Sequence, residues 1–334
     1  MATNKRLIKS NDEGGAGGAS FNTVLYTGTN ASQDITGVGF QPDLVWIKSR
    51  TSSTSNNLFD TVRGATTYIR SDQPDPEGSN ATMQTSFNPD GFSLGNDETY
   101  QVNWSGKEYV AWCWKAGGAA VTNNDGTTPS QVSANTEAGF SIVTWTTNLS
   151  PATLRVGHGL GQTPDIVIFK RRSSPNEDWY VLSNLFDGSY LLLNSTSALT
   201  SLGSSYSTSV TDTLLSSFTS AIGIDYVAYC FAEVAGFSKF GSYEGTGVVG
   251  QSITGLGFEP AFLMIKNIDD GTTAWRMWDN KRPVGALLSA SSSQEEQIVT
   301  SVRLDADGFT LQSVNTQWNN SGKTFVYMAF ANQF

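Results

Sequence analysis

ITGVGFQPDLVWIK, Ile35 to Lys48, recurs twice in this chain, as GHGLGQTPDIVIFK from Gly157 to Lys170 and as ITGLGFEPAFLMIK from Ile253 to Lys266. Each copy passes from a glycine-rich turn through a proline into a short apolar run closed by lysine. The runs Leu44–Ile47, Ile166–Phe169 and Phe262–Ile265 are continuous and bounded by turn signals, the pattern of strands buried on both faces. Each copy is followed at a similar distance by a second strand: YVAWC from Tyr109, YVAYC from Tyr226 and FVYMA from Phe325. The repeating block is therefore roughly 95 residues long, enough for one supersecondary unit copied three times.

The closing strands have two unlike faces. Val110, Trp112 and Trp114 match Val227, Tyr229 and Phe231, and then Val326, Met328 and Phe330; the opposite face carries Ala111 and Cys113, matched by Ala228 and Cys230. One large and one small face suit a sheet packed on another sheet. Asp90-Gly91-Phe92 and Asp307-Gly308-Phe309 read as matching tight turns before strands. No segment keeps a helical period over about 12 residues. The sequence predicts an all-β fold of three tandem antiparallel β-sandwich, jelly-roll-like repeats with an extended N-terminal arm. The expected bounds are an arm at 1–20, repeat one at 21–116, a linker at 117–139, repeat two at 140–233 and repeat three at 237–334. Only Val234 to Gly236 join the last two, so these are expected to pair closely, with repeat one more independent.

Composition narrows the function. Of 334 residues, 38% are apolar and 15% charged, and 18 Phe, 11 Tyr and 9 Trp are available to fill cores, which argues against a disordered chain. The net charge of −10 makes nucleic acid and anionic membranes poor partners, since phosphate binding needs a positive footprint. No apolar run is long enough to span a bilayer. The opening MATNKRLIKSNDEGGAGG lacks the apolar core of a secretory signal, so synthesis and folding in a cytoplasm are expected.

Residues able to carry chemistry mostly fall at repeated positions. Cys113 and Cys230 correspond to Ala329, which describes a small buried slot, and two cysteines with one histidine fall short of a zinc ligand set. His158 stands where the other copies have Thr36 and Thr254, as a turn hydrogen-bonder would. Asp60, Asp187 and Asp279 follow Phe59, Phe186 and Trp278, with Arg63 and Arg282 three residues on in two copies; a turn with an Asp–Arg pair is expected rather than the two carboxylates of a glycosidase. The acidic loops with Asp72, Asp75 and Glu77 and with Glu177 and Asp178 read as surface. Asp305 and Asp307, and Asp269 and Asp270, lack the ligand spacing of an EF-hand. Gly255 and Gly257 precede a strand, unlike a phosphate-binding fingerprint. No catalytic residue, cofactor or metal is expected. Two features fall outside the pattern. Trp104 stands at the tip of the hairpin Asn103–Lys107 and is a ligand-contact candidate. The basic residues Lys5, Arg6 and Lys9, ahead of a hinge of glycines, read either as a frayed terminus or as a docking peptide.

The segments YVAWCWKAGG, YVAYCFAEVAGFSKFGSY, GGAAVTNNDGTTPSQVSAN and FVYMAFANQF resemble a repeated β domain of virion structural proteins, often labelled tail-fibre-like, from tailed phages of marine bacteria and cyanobacteria. The resemblance runs from Phe21 to Phe334 and leaves the arm outside. It implies a non-enzymatic virion protein, most directly a tail fibre or spike for host attachment, with capsid decoration or a head fibre as the alternative and a polysaccharide-degrading enzyme behind both. The implied partners are other virion proteins through the arm and a host glycan or outer-membrane protein. A homo-oligomer is expected, with a trimer by analogy to fibres.

Overall fold

The signature strand sits at the centre of its sheet. In the computed structural model, which describes residues 19–148, 154–202, 209–216 and 222–332, repeat one consists of nine strands. These are β1 (Phe21–Thr27), β2 (Gln33–Ile35), β3 (Leu44–Ser49), β4 (Asn57–Asp60), β5 (Thr67–Arg70), β6 (Gly78–Ser79), β7 (Gln84–Asn88), β8 (Gly91–Leu94) and β9 (Glu108–Trp114). A large sheet has the order β1-β9-β3-β4-β5-β6 and a small one the order β2-β8-β7. β3, the signature strand, pairs with β9 on one side and β4 on the other, every pair antiparallel. All six of its residues are buried, as its unbroken apolar run predicted. Val45 and Ile47 face Phe92 and Leu94 of the small sheet in one core, while Leu44 and Trp46 face the other way into a second.

The same strand order occurs in the other two repeats. Around the closing strand Thr324–Phe330, repeat three has a large sheet in the order of repeat one and a small sheet of Gln251–Thr254, Gly308–Leu311 and Val302–Asp305. Repeat two does likewise around Asp225–Phe231. The protein is all-β, built from antiparallel sheets packed as sandwiches. The glycines of the signature turn have a definite task. Gly37 and Gly39, at φ +85° and +86°, donate their N–H groups to the Asp90 carboxylate at 3.0 and 2.6 Å. Gly255 and Gly257 do the same to Asp307. Both glycines hold the left-handed conformation that side-chain-bearing residues resist, so the turn docks onto the Asp-Gly hairpin of the small sheet.

The large faces of the closing strands do not line the sandwich interiors. Val110, Trp112 and Trp114 point outward and meet their counterparts from the other repeats in one shared core. Trp114, Phe231 and Phe330 form a triangle with ring centroids 6.3, 5.7 and 5.6 Å apart. Phe262 packs against both Trp112 and Trp114. The small faces fill the individual sandwiches, with Cys113 in one and Cys230 in another; both cysteines are free and buried.

Two expectations change. Repeat one is as much part of the shared core as the other two, so the repeats are not a close pair with an outlier. The stretch expected as a linker, 117–139, contains strands Val121–Asn123 and Ser130–Asn135, which extend the large sheet of repeat two beyond Phe140–Thr146. Its alternation of Val132 with polar residues lets one side pack on the second sandwich core, a pattern hidden in a stretch rich in Gly, Thr and Asn.

Candidate functional site

The repeats are joined head to tail, and the joints close on themselves. The residue preceding the fourth strand of each repeat donates a side-chain N–H to the carbonyl that ends the fifth strand of a neighbour. Asn56 donates to Ser289 at 3.1 Å, Trp179 to Arg70 at 2.7 Å and Trp275 to Leu192 at 2.8 Å. Repeat one thus docks on three, two on one, and three on two. Three backbone hydrogen bonds follow the same cycle: Glu77 N to Arg172 O, Leu199 N to Ile268 O, and Glu296 N to Arg50 O, at 2.8 to 2.9 Å. Side chains that repeat at every joint give the ring a threefold pattern made by one chain.

The charged residues at two joints form two separate networks of one pattern. Asp60 is fully buried, pairs with Arg63 at 2.5 Å and accepts the hydroxyl of Tyr229 at 2.8 Å. Arg63 reaches Glu77, which binds Arg172 through both oxygens. Asp279 pairs with Arg282 at 2.6 Å and accepts the indole N–H of Trp112 at 2.9 Å. Arg282 reaches Glu296, which in turn binds Arg50 through both oxygens. Burial alone would lower the pKa of Arg63, but Asp60, Tyr229 and Glu77 together outweigh it and push the guanidinium up. The expected Asp–Arg turn is present at Asp60 and Asp279, whose carboxylates also accept the turn N–H groups. Asp187 does not occupy the third such position. The register that pairs Leu44 with Asp60 and Phe262 with Asp279 pairs Ile166 with Ser183. Asp187 ends a short 3-10 turn, Asn184–Phe186, at φ +42°. At the third joint the register accordingly puts Ser183 at the aspartate position, and Leu199 and Ile268, joined by a backbone hydrogen bond, both pack in the shared core.

The signature lysines belong to the joints as well. Lys48 donates to Thr54 O at 2.7 Å and to Ser293 O of repeat three at 2.9 Å. Lys266 donates to Thr196 O of repeat two at 3.1 Å, and Lys170 to Glu177 O. Burial lowers the pKa of all three ammonium groups to about 8. Of the acids read as surface from the sequence, Glu177, Asp178 and Asp75 act on Lys170 and Glu77 pairs with Arg172 across the joint of repeats one and two, whereas Asp72 is buried by Lys48 at the joint with repeat three and accepts Asn56 N.

The remaining sequence candidates are accounted for locally. His158 is buried, its Nε2 bonds Thr211 O at 3.1 Å and its Nδ1 accepts Leu160 N, so it ties a turn together; burial lowers its pKa. Asp305 pairs with Arg303 and accepts from Thr310. Among the described residues, no group of three or more His, Cys, Asp or Glu is placed to hold a metal ion. Lys5, Arg6 and Lys9 lie outside the described residues.

Trp104 is the candidate that the structure leaves at the surface. The segment expected as a hairpin is instead the connection from β8 in the small sheet to β9 in the large one, and Trp104 stands on it, 39% exposed, with the Tyr100 ring 5.4 Å away at 46° and Lys107 Nζ 5.1 Å from the indole centroid. Asn103 anchors the connection, donating to Ala31 O and Gly95 O and accepting from Thr29 N and Gln33 Nε2. Asp97 knots the preceding turn by accepting Val102 N and Asn103 N at 2.6 and 2.9 Å. Gly28 is required here, because a Cβ on it would lie 2.2 Å from Trp104 O. Tyr100 was not visible from the sequence as a partner of Trp104; the signal was an aromatic pair four residues apart, with Asn320 of repeat three at the place of Trp104.

A family model described as a domain of unknown function (DUF7483) matches residues 16–333. No curated protein and no solved structure matches the chain.

Proposed function

We propose that this chain, which belongs to the DUF7483 family, is a non-enzymatic virion structural protein that attaches a phage to its host surface. Three tandem jelly-roll-like sandwiches, docked by the arm with Lys5, Arg6 and Lys9, are part of this reading, and the repeated strand order supports it. The observation that carries it is the division of labour among side chains. The buried charged groups tie the repeats to each other, while six of the eleven exposed large apolar side chains of the described residues, Tyr100, Trp104, Ile222, Val248, Val249 and Val314, stand on the connections before the closing strands or on loops; Leu25, Val121, Leu185, Val284 and Ile298 are exposed elsewhere. A rigid body with apolar loop tips suits binding better than turnover. The sequence resemblance supplies the virion context. Its host-side partner in this proposal is a surface glycan or an outer-membrane protein, and its virion-side partners are reached through the arm.

Capsid decoration is the second reading, and the closed ring favours it over an elongated shaft. Cryo-electron microscopy of particles, with the protein located by an antibody, separates the two: density at the tail supports attachment and density on the shell supports decoration. Unchanged host adsorption by particles lacking the protein would overturn attachment. Deletion of residues 1–20 is expected to leave a folded protein that no longer joins the particle, and normal incorporation would remove the arm from the proposal.

A further inference from the structure

The geometry points to the connection between β8 and β9 of repeat one as a carbohydrate-binding site, with Trp104 and Tyr100 as the platform for a pyranose ring. The inference names a ligand class for the attachment reading and rests on it only for the biological source of the glycan.

Three observations carry it. The first is exposure: Tyr100 and Trp104 present 46% and 39% of their surface, and an aromatic face in water is suited to the C–H face of a sugar, one side of which is apolar. The second is backbone conformation. Tyr100 has φ +59°, and among the described residues the other non-glycine residues with positive φ are all Asn or Asp. Asn and Asp tolerate this region through local hydrogen bonds, whereas a tyrosine there is strained. The turn holds it in place: Tyr100 N donates to Asp97 O at 3.0 Å, and the Asp97 carboxylate is saturated by Thr99, Val102 and Asn103. Strain maintained at an exposed aromatic ring marks a position where display matters more than stability.

The third observation is an internal control. Repeat three anchors the corresponding connection on Asn319, whose amide accepts from Thr246 N and Gly247 N and donates to Val248 O and Ser313 O. It does so with Asn320 at the place of Trp104, so the asparagine anchor forms without the indole. The turn that displays Tyr100 is particular to repeat one: Trp318 N and Asn319 N donate to Asn315 O in repeat three, where Tyr100 N donates to Asp97 O in repeat one. Lys107 covers one face of the indole and is itself fixed by Thr51 O at 3.3 Å. The pair is thus pre-set before a ligand arrives, which reduces the ordering cost of binding. Glu98 and Gln101 are exposed or half-exposed polar neighbours in the same turn, placed to hydrogen-bond sugar hydroxyls.

The test uses the full-length protein on an array of protein-free bacterial polysaccharides, both capsular and O-chain. The variants are Trp104→Asn, which carries the residue of repeat three, and Tyr100→Asn, a residue type that this chain holds at positive φ elsewhere, and their melting temperatures verify folding. The expected result is retention of the wild type by at least one polysaccharide, and a loss of at least tenfold in affinity in each variant. No retention of the wild type, or equal retention of the variants, overturns the inference, as does binding confined to cells with intact surface proteins. Glycan binding by a protein that is absent from purified particles would overturn the attachment reading and leave this inference standing.

Discussion

Lys48, Lys170 and Lys266 close the three signature strands, and the sequence alone shows them only as the end of an apolar run. Their role was illegible because each Nζ meets backbone carbonyls, and for Lys48 and Lys266 one of these belongs to another repeat; carbonyls have no sequence signature. The cost of burying an ammonium appears as a pKa near 8 against an ordinary 10.5. Below pH 8 the lysines are protonated in both states and their burden is constant. Between about pH 8 and 10.5 the unfolded chain binds more protons than the folded one, so these groups make stability rise with pH. Lys48→Met removes one such group. Melting temperatures taken from pH 7.5 to 10 should show the wild type gaining on the variant as pH rises; parallel profiles would mean that Lys48 is not protonated and desolvated as described. A second residue-scale expectation concerns Arg282, which is buried against Asp279. Arg282→Ala leaves a buried carboxylate without its cation and should cost about 3–5 kcal/mol, read from denaturant unfolding.

At the scale of the element, the closing strand was the most legible part of the chain, and its two faces were read correctly as large and small. Which face lies inside the sandwich was not legible, because periodicity assigns residues to faces but does not say what covers each face. Position 112 and its equivalents show the consequence. Trp112 and Tyr229 donate hydrogen bonds to the buried carboxylates Asp279 and Asp60, whereas Met328 offers only its apolar surface to the shared core. Replacing Trp112 or Tyr229 by Phe should remove a hydrogen bond to a charged group, about 1.5–3 kcal/mol. Met328→Leu, a volume-conserving change, should cost less than about 1.5 kcal/mol. Equal losses at all three positions in thermal unfolding would contradict the difference between the joints. The assignment of Asp187 as the third member of the Asp set failed for a related reason: a short 3-10 turn shifts the chain, and the Phe-Asp pair then falls out of register with its counterparts.

At the scale of the molecule, the short join at Val234–Gly236 suggested a close pair of repeats two and three with repeat one more independent, an open string, and the joints make a closed ring instead. The residues that meet across it are separated by about seventy residues or more in sequence, so nothing local announces them. Closure by a head-to-tail contact requires that each repeat present two different surfaces, one to each neighbour, and the cycle of Asn56, Trp179 and Trp275 supplies them. A string and a ring differ in what happens when repeat three is removed. In a string, residues 1–233 would keep two intact sandwiches. In the ring, the truncation uncovers Phe21, Trp112, Trp114 and Phe231, which pack on Phe262 or Phe330, and strands Asn56 beside the absent Ser289 carbonyl. Each aromatic buries about 150–250 Å². At about 25 cal/mol per Å², uncovering roughly half of that area on four rings costs on the order of 10 kcal/mol, as much as the whole stability of an ordinary domain. The full chain should therefore unfold in a single calorimetric transition, and the 1–233 fragment should bind a hydrophobic dye or aggregate. Separate transitions for the three repeats, or a fragment that melts like the parent, would favour the string.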